Sequence, residues 1–130
     1  MWNKHINLTD ARALSNEFCK DFDIQYCQIY MVDLLLNNAY GQYSYLNPPH
    51  ILILDIYKNH NKIGVLMHEL THHVECYQYT FDYTSHHGYH YQLAKKKVIR
   101  WCEENISIKP DWKKTLSAYI DEAVASAFKI

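Results

Sequence analysis

No run in this chain approaches the ~18 consecutive apolar residues of a membrane-spanning helix, so no bilayer span is expected. The opening Met1-Trp2-Asn3-Lys4-His5 carries no apolar stretch behind its basic residue, so it does not read as a secretory leader, and a cytoplasmic location is the expectation. An excess of one charge is also lacking. Thirteen Lys and Arg stand against fourteen Asp and Glu, a net charge of −1, which argues against a strong electrostatic footprint for nucleic acid or for an anionic membrane surface. The basic cluster Lys95-Lys96-Lys97 with Arg100 is the exception, and on a helix those charges spread around the circumference as a solvated surface. The four cysteines, Cys19, Cys27, Cys76 and Cys102, form no C-x-x-C pair, which excludes a zinc ribbon or a small disulfide framework and leaves reduced, buried thiols. Repeats, linkers and low-complexity tracts are absent as well, so residues 1–130 are expected to form a single domain around one core.

Hydrophobic residues make up 48% of the 130 residues and charged residues 21%, the mix of an ordinary folded domain. Twelve tyrosines suit half-buried strands, where a ring packs and a hydroxyl meets water. Nine histidines are more telling, because eight of them fall between residues 50 and 90.

Periodicity orders these residues into elements. Thr9 and Asp10 precede Ala11, Ala13, Leu14 and Phe18 at helical spacing, which predicts a first helix over about 9–21. Residues 24–36 and 43–46, rich in aromatic and β-branched side chains and separated by Asn37-Asn38 and Gly41, read as a hairpin. After Asn47-Pro48-Pro49, the short apolar run His50–Ile56 reads as a third strand. A second helix over about 63–76 aligns Ile63, Leu66, Met67, Leu70 and Val74 on one stripe. Leu93, Ala94, Val98 and Trp101 predict a third helix after Gly88 to about residue 103. Pro110-Asp111 opens a fourth, with Leu116, Ile120, Ala123, Val124 and Phe128 as core contacts.

The second helix carries His68-Glu69-Leu70-Thr71-His72. Four-residue spacing places the two imidazoles on one face, one turn apart, as two ligands of one metal ion require. Glu69 beside them is placed to accept a proton from a water that the metal activates. A catalytic zinc site takes a third protein ligand and keeps one position open. His87, fifteen residues after His72 and at the start of the third helix, is the leading candidate, with His86, His90 and Glu75 as alternatives. Helical phase directs His73 away from that face, toward the surface. Tyr91 reads as a core aromatic locking the third helix on the second, and Tyr83 and Tyr89 are candidate donors to an oxyanion.

His68-Glu69-Leu70-Thr71-His72 followed by His87-Gly88-Tyr89-His90-Tyr91 resembles the SprT-like zinc metallopeptidases, which include the Spartan proteases. Those families pair HExxH with a later His-Gly or His-Ser and then an aromatic, which Tyr91 matches. A tyrosine-rich hairpin, a proline-containing turn and an apolar strand ahead of the motif extend the likeness over about residues 10–103. The resemblance implies a compact zincin-like α+β domain with a small, about three-stranded sheet and flanking helices. It also implies one zinc per chain held by His68, His72 and His87, Glu69 as general base, and an active-site strand that pairs with an extended peptide. Two features depart from the family: there is no four-cysteine array, and Tyr89 and His90 stand where a proline is usual after His87.

The expected function is zinc-dependent hydrolysis of peptide bonds in a peptide or protein substrate, with strand 51–56 holding the substrate by β-augmentation. Two alternatives belong to other classes: a non-catalytic zinc-containing binding or regulatory protein, whose site His90 or His86 would close, and a DNA-associated protease, which the charge balance does not support.

Overall fold

The computed structural model describes residues 6–36, 39–46, 48–55, 62–80 and 87–106. The expected fourth helix, Tyr83, His86 and the end of the expected third strand at Ile56 lie outside those residues. The described elements form a small α+β domain of three helices and a three-stranded mixed sheet.

The first helix, α1 (Leu8–Phe22), starts one residue earlier than Thr9-Asp10 implies, because Asn7 is the cap: its side chain accepts the backbone N–H of Asp10 at 2.8 Å. It ends at Asp23 in the left-handed region (φ 53°), whose N–H reaches back to the carbonyls of Cys19 and Lys20. Ala11, Leu14, Ser15, Phe18 and Cys19 form its buried face.

Strands β1 (Gln28–Val32), β2 (Gly41–Ser44) and β3 (His50–Leu54) are arranged in the order β1-β3-β2. The expected hairpin is therefore not formed. β3 inserts between its two arms, parallel to β1 and antiparallel to β2. Ile51 and Ile53 of β3 are fully buried, and the strand with the densest apolar content takes the place where both edges are paired; Gln28, Tyr30, Gln42 and Ser44 sit on the outer strands, where one edge meets solvent. A second correction follows. With both edges occupied, β3 cannot receive a peptide strand, and residues 51–54 of the expected substrate strand do not serve as one.

Helix α2 (Lys62–Gln78) departs from the single apolar stripe, since every residue from Ile63 to Glu75 is buried. It runs between the inner face of β2 and β3 on one side, α1 on another and α3 (Tyr89–Asn105) on a third. A helix enclosed in this way must satisfy its polar side chains internally. Thr71 does so by donating to the Met67 carbonyl at 2.7 Å. α3 packs Tyr91, Ala94, Val98, Trp101 and Cys102 inward, and the Trp101 indole N–H donates to Asp21 at 2.8 Å, tying α3 to α1. Phe18 meets the edge of Trp101 with ring centroids 5.0 Å apart.

The basic cluster is split. Lys95 falls on the same face as Tyr91 and Val98 and is buried, while Lys96, Lys97 and Arg100 are exposed. All four cysteines are free thiols; Cys19, Cys27 and Cys102 are buried and Cys76 is half-buried. Burial pushes the Cys102 thiol up to about 12 and Cys76 up to about 11, so neither is a thiolate near neutrality. No helix among the described residues is long and apolar enough to cross a membrane.

Candidate metal centre

One turn of α2 separates His68 from His72, and their ring centroids lie 5.0 Å apart, nearly edge to face. The chain re-enters at His87, in the turn before the Gly88 cap of α3, and the His87 ring stands 5.0 Å from that of His68 and 5.1 Å from that of His72. One ligand nitrogen from each of the three lies within 4.8 Å of the other two. Three imidazoles so placed could hold a metal ion.

The hydrogen bonds at the far side of each ring decide which nitrogen faces the others. Tyr91 Oη lies 2.7 Å from Nδ1 of His68, and Glu75 Oε1 lies 3.1 Å from Nδ1 of His72. Both Nδ1 atoms are thus engaged outside the triad, which leaves Nε2 as the candidate ligand atom of each ring. The spacing of one pair fits a tetrahedral ion as well: two nitrogens each about 2.05 Å from such an ion stand about 3.3 Å apart. Nε2 of His68 and Nε2 of His87 are separated by 3.3 Å.

Of the other candidate ligands, His90 and Glu75 are directed elsewhere and His86 lies outside the described residues. His90 Nδ1 donates to the Thr80 carbonyl at 2.8 Å and its ring stacks on Tyr79, so His90 does not join the cluster. Glu75 supports His72 from behind. Among the described residues the group that could hold a metal ion is His68, His72 and His87, two of them buried and the third half-buried.

Glu69 is 6% exposed, with Oε1 3.8 Å from His68 Nε2. Burial alone pushes its carboxyl up to about 8, and a dication in the triad acts in the opposite direction by favouring the charged form. The edge strand β2 passes directly over this group. A Cβ on Gly41 would stand 2.4 Å from Val65 Cγ1 and 3.2 Å from Glu69 Cγ, so the backbone reaches this close only because residue 41 has no side chain.

His73 is the clearest departure from expectation, being fully buried where a surface position was expected. Its Nε2–H donates to the Gln25 carbonyl at 2.7 Å, which leaves Nδ1 to accept the Tyr43 hydroxyl at 2.8 Å. Helical phase placed it correctly off the face of His68 and His72; Gln25, which follows α1, and Tyr43 of β2 meet the side that was read as solvent. Tyr91 is 1% exposed, the expected core position, and its contact with His68 adds a role that spacing could not show. Tyr89 projects outward at 73% exposure. Gly41 and Glu75 were not read as supports of the site, and the turn signal at Gly41 was the only local hint of the former.

No family model, no curated protein and no solved structure matches the chain. What it does must therefore be argued from its own residues.

Proposed function

We propose that the chain is a zinc-dependent metalloendopeptidase, zincin-like and SprT-like in its site, which hydrolyses peptide bonds in a peptide or protein substrate. The observation that carries this reading is the convergence of three imidazoles from His68, His72 and His87 beside the buried carboxyl of Glu69. All-nitrogen donor sets of borderline softness suit zinc, and three protein ligands leave a coordination position for a reactant.

Zinc bound there, one per chain, supplies Lewis acidity, lowering the pKa of the attacking water and polarising the scissile carbonyl. Glu69 accepts the proton of that water and passes it to the departing amine. Its position is fixed by α2 and by the backbone of β2 at Gly41, so it reaches the reacting atoms without a rearrangement of the core.

The substrate strand is β2 in this reading. The Leu54 N–H donates to the Tyr40 carbonyl at 2.9 Å, which makes 40 and 54 a hydrogen-bonded pair. Alternation in an antiparallel ladder then pairs Gln42 with Leu52 and Ser44 with His50, and turns the backbone N–H and C=O of Gly41 and Tyr43 away from β3. An extended peptide adding at this edge would lie alongside Glu69. The regulatory alternative needs a fourth ligand; His90 is committed to Thr80, and His86, the other candidate, lies outside the described residues. The DNA-associated alternative gains nothing from a basic cluster that has lost Lys95 to the interior.

Elemental analysis of the wild type and of His87→Ala tests the metal. About one zinc per chain, largely lost in the variant, is expected; equal zinc in both would move the third ligand elsewhere. Glu69→Gln should keep its zinc and lose peptidase activity on an unstructured protein such as casein, and retained activity would remove the assigned role of Glu69.

A further inference from the structure

We infer that Glu75 is the positioning residue of the metal centre, an anionic anchor that sets the tautomer and tilt of His72 and strengthens it as a ligand. This rests on the metal-centre reading above. Glu75 follows His72 by three residues on α2, so the two side chains share a face of one rigid helix, and the distance from Nδ1 to Oε1 is 3.1 Å. An ionised Glu75 only accepts, so in this arrangement the ring proton of His72 resides on Nδ1 and the lone pair on Nε2, the nitrogen left to act as a ligand.

The choice of a carboxylate calls for a physical reason. Glu75 is 0% exposed in the last turns of α2, where removing an ionised acid from water is unfavourable and where a glutamine of the same shape would accept the same bond. What glutamine lacks is the negative charge. Through the hydrogen bond that charge raises the basicity of Nε2, and it reduces the net charge of a dication among three neutral imidazoles from +2 to +1. His68 shows the contrast: its outer nitrogen meets the neutral phenol of Tyr91 at 2.7 Å. The two ligands of one helix are therefore held unequally, His72 by an anion and His68 by a hydroxyl. A stability role alone would be served as well by an apolar or amide side chain, whereas tuning of a cation requires the charge.

The test measures zinc affinity by competition with a chromophoric chelator in the full chain, comparing the wild type, Glu75→Gln and Tyr91→Phe. Glu75→Gln is expected to bind about 10- to 100-fold more weakly. Tyr91→Phe should lose less, because a neutral partner is removed. The cobalt(II)-substituted Glu75→Gln protein should show shifted visible ligand-field bands, a change that a purely structural role would not produce. Wild-type affinity together with an unchanged cobalt spectrum in Glu75→Gln would overturn the inference, whatever happens to the melting temperature of the stripped protein. A wild type that takes up neither zinc nor cobalt would overturn the metal-centre reading and this inference with it. Should Glu75→Gln fail to fold, nitrogen-15 and proton spectra of the zinc-loaded wild type decide: the His72 Nδ1 proton is expected downfield and protected from exchange, and a metal-bound His72 without that proton on Nδ1 refutes the anchor.

Discussion

Replacing Glu69 by glutamine should make the metal-free protein more stable while it disables the site. Burial raises the carboxyl of Glu69 from 4.5 to about 8, so between those values the folded state holds a proton that the unfolded state releases. Stability contributed by such a group is fully present below pH 4.5 and is lost as the pH rises toward 8. At pH 7 the unfolded carboxyl is ionised and the folded one mostly protonated. At about 1.36 kcal/mol per unit over the roughly 2.5 units between 4.5 and 7, the penalty is about 3 kcal/mol, approaching about 5 kcal/mol above pH 8. The glutamine side chain does not titrate, so the variant should escape this slope. Urea denaturation of the wild type and of Glu69→Gln, in chelator and at intervals from pH 5 to 9, provides the comparison. The two stabilities are expected to diverge by about 3 to 4 kcal/mol between pH 5 and pH 8, with the variant the more stable. Saturating zinc should shrink the gap, since a nearby dication favours the ionised form. Parallel pH profiles in chelator would refute the argument that Glu69 is held in a desolvated position.

Gly41→Ala places a methyl group 2.4 Å from Val65 Cγ1, so β2 must shift away from α2. A loss of about 1–3 kcal/mol in urea denaturation is expected, with zinc content unchanged and peptidase activity reduced; wild-type stability would mean that the approach is looser than described. His73→Phe removes the partner of the Tyr43 hydroxyl and of the Gln25 carbonyl at once. It should cost about 1–3 kcal/mol in chelator and leave the zinc stoichiometry intact, whereas loss of zinc would make His73 part of the centre.

Some of the fold was legible from local rules. α1 and α3 were placed to within a few residues because their apolar side chains recur every three or four positions and because Gly88 and the residues before Ala11 mark helix starts. Strand pairing was not legible. Asn37-Asn38 and Gly41 carry turn chemistry that fits a hairpin, yet nothing local could say that β3 would enter between the arms, because strand order depends on which strand gains most from burial on both edges. The surface reading of His73 failed for a related reason: phase assigns a side chain to a face of its own helix, and only the neighbours decide whether that face is wet.

The site divides along the same line. The closeness of His68 and His72, with Glu69 beside them, was legible in their spacing, since helix geometry converts a four-residue interval into two rings on one face without help from the rest of the chain. His87 was one candidate among several in the sequence; packing brings its Nε2 to 3.3 Å from that of His68, while His90 bonds the Thr80 carbonyl. The hydrogen bonds of Tyr91 to His68 and of Glu75 to His72, the passage of Gly41 over Glu69 and the burial that raises the Glu69 carboxyl appear only once the elements are packed. Periodicity is a property of consecutive residues and survives in the sequence; desolvation and a hydrogen bond such as that of Tyr91 to His68 are properties of neighbours far apart in the chain, and tertiary packing alone creates them.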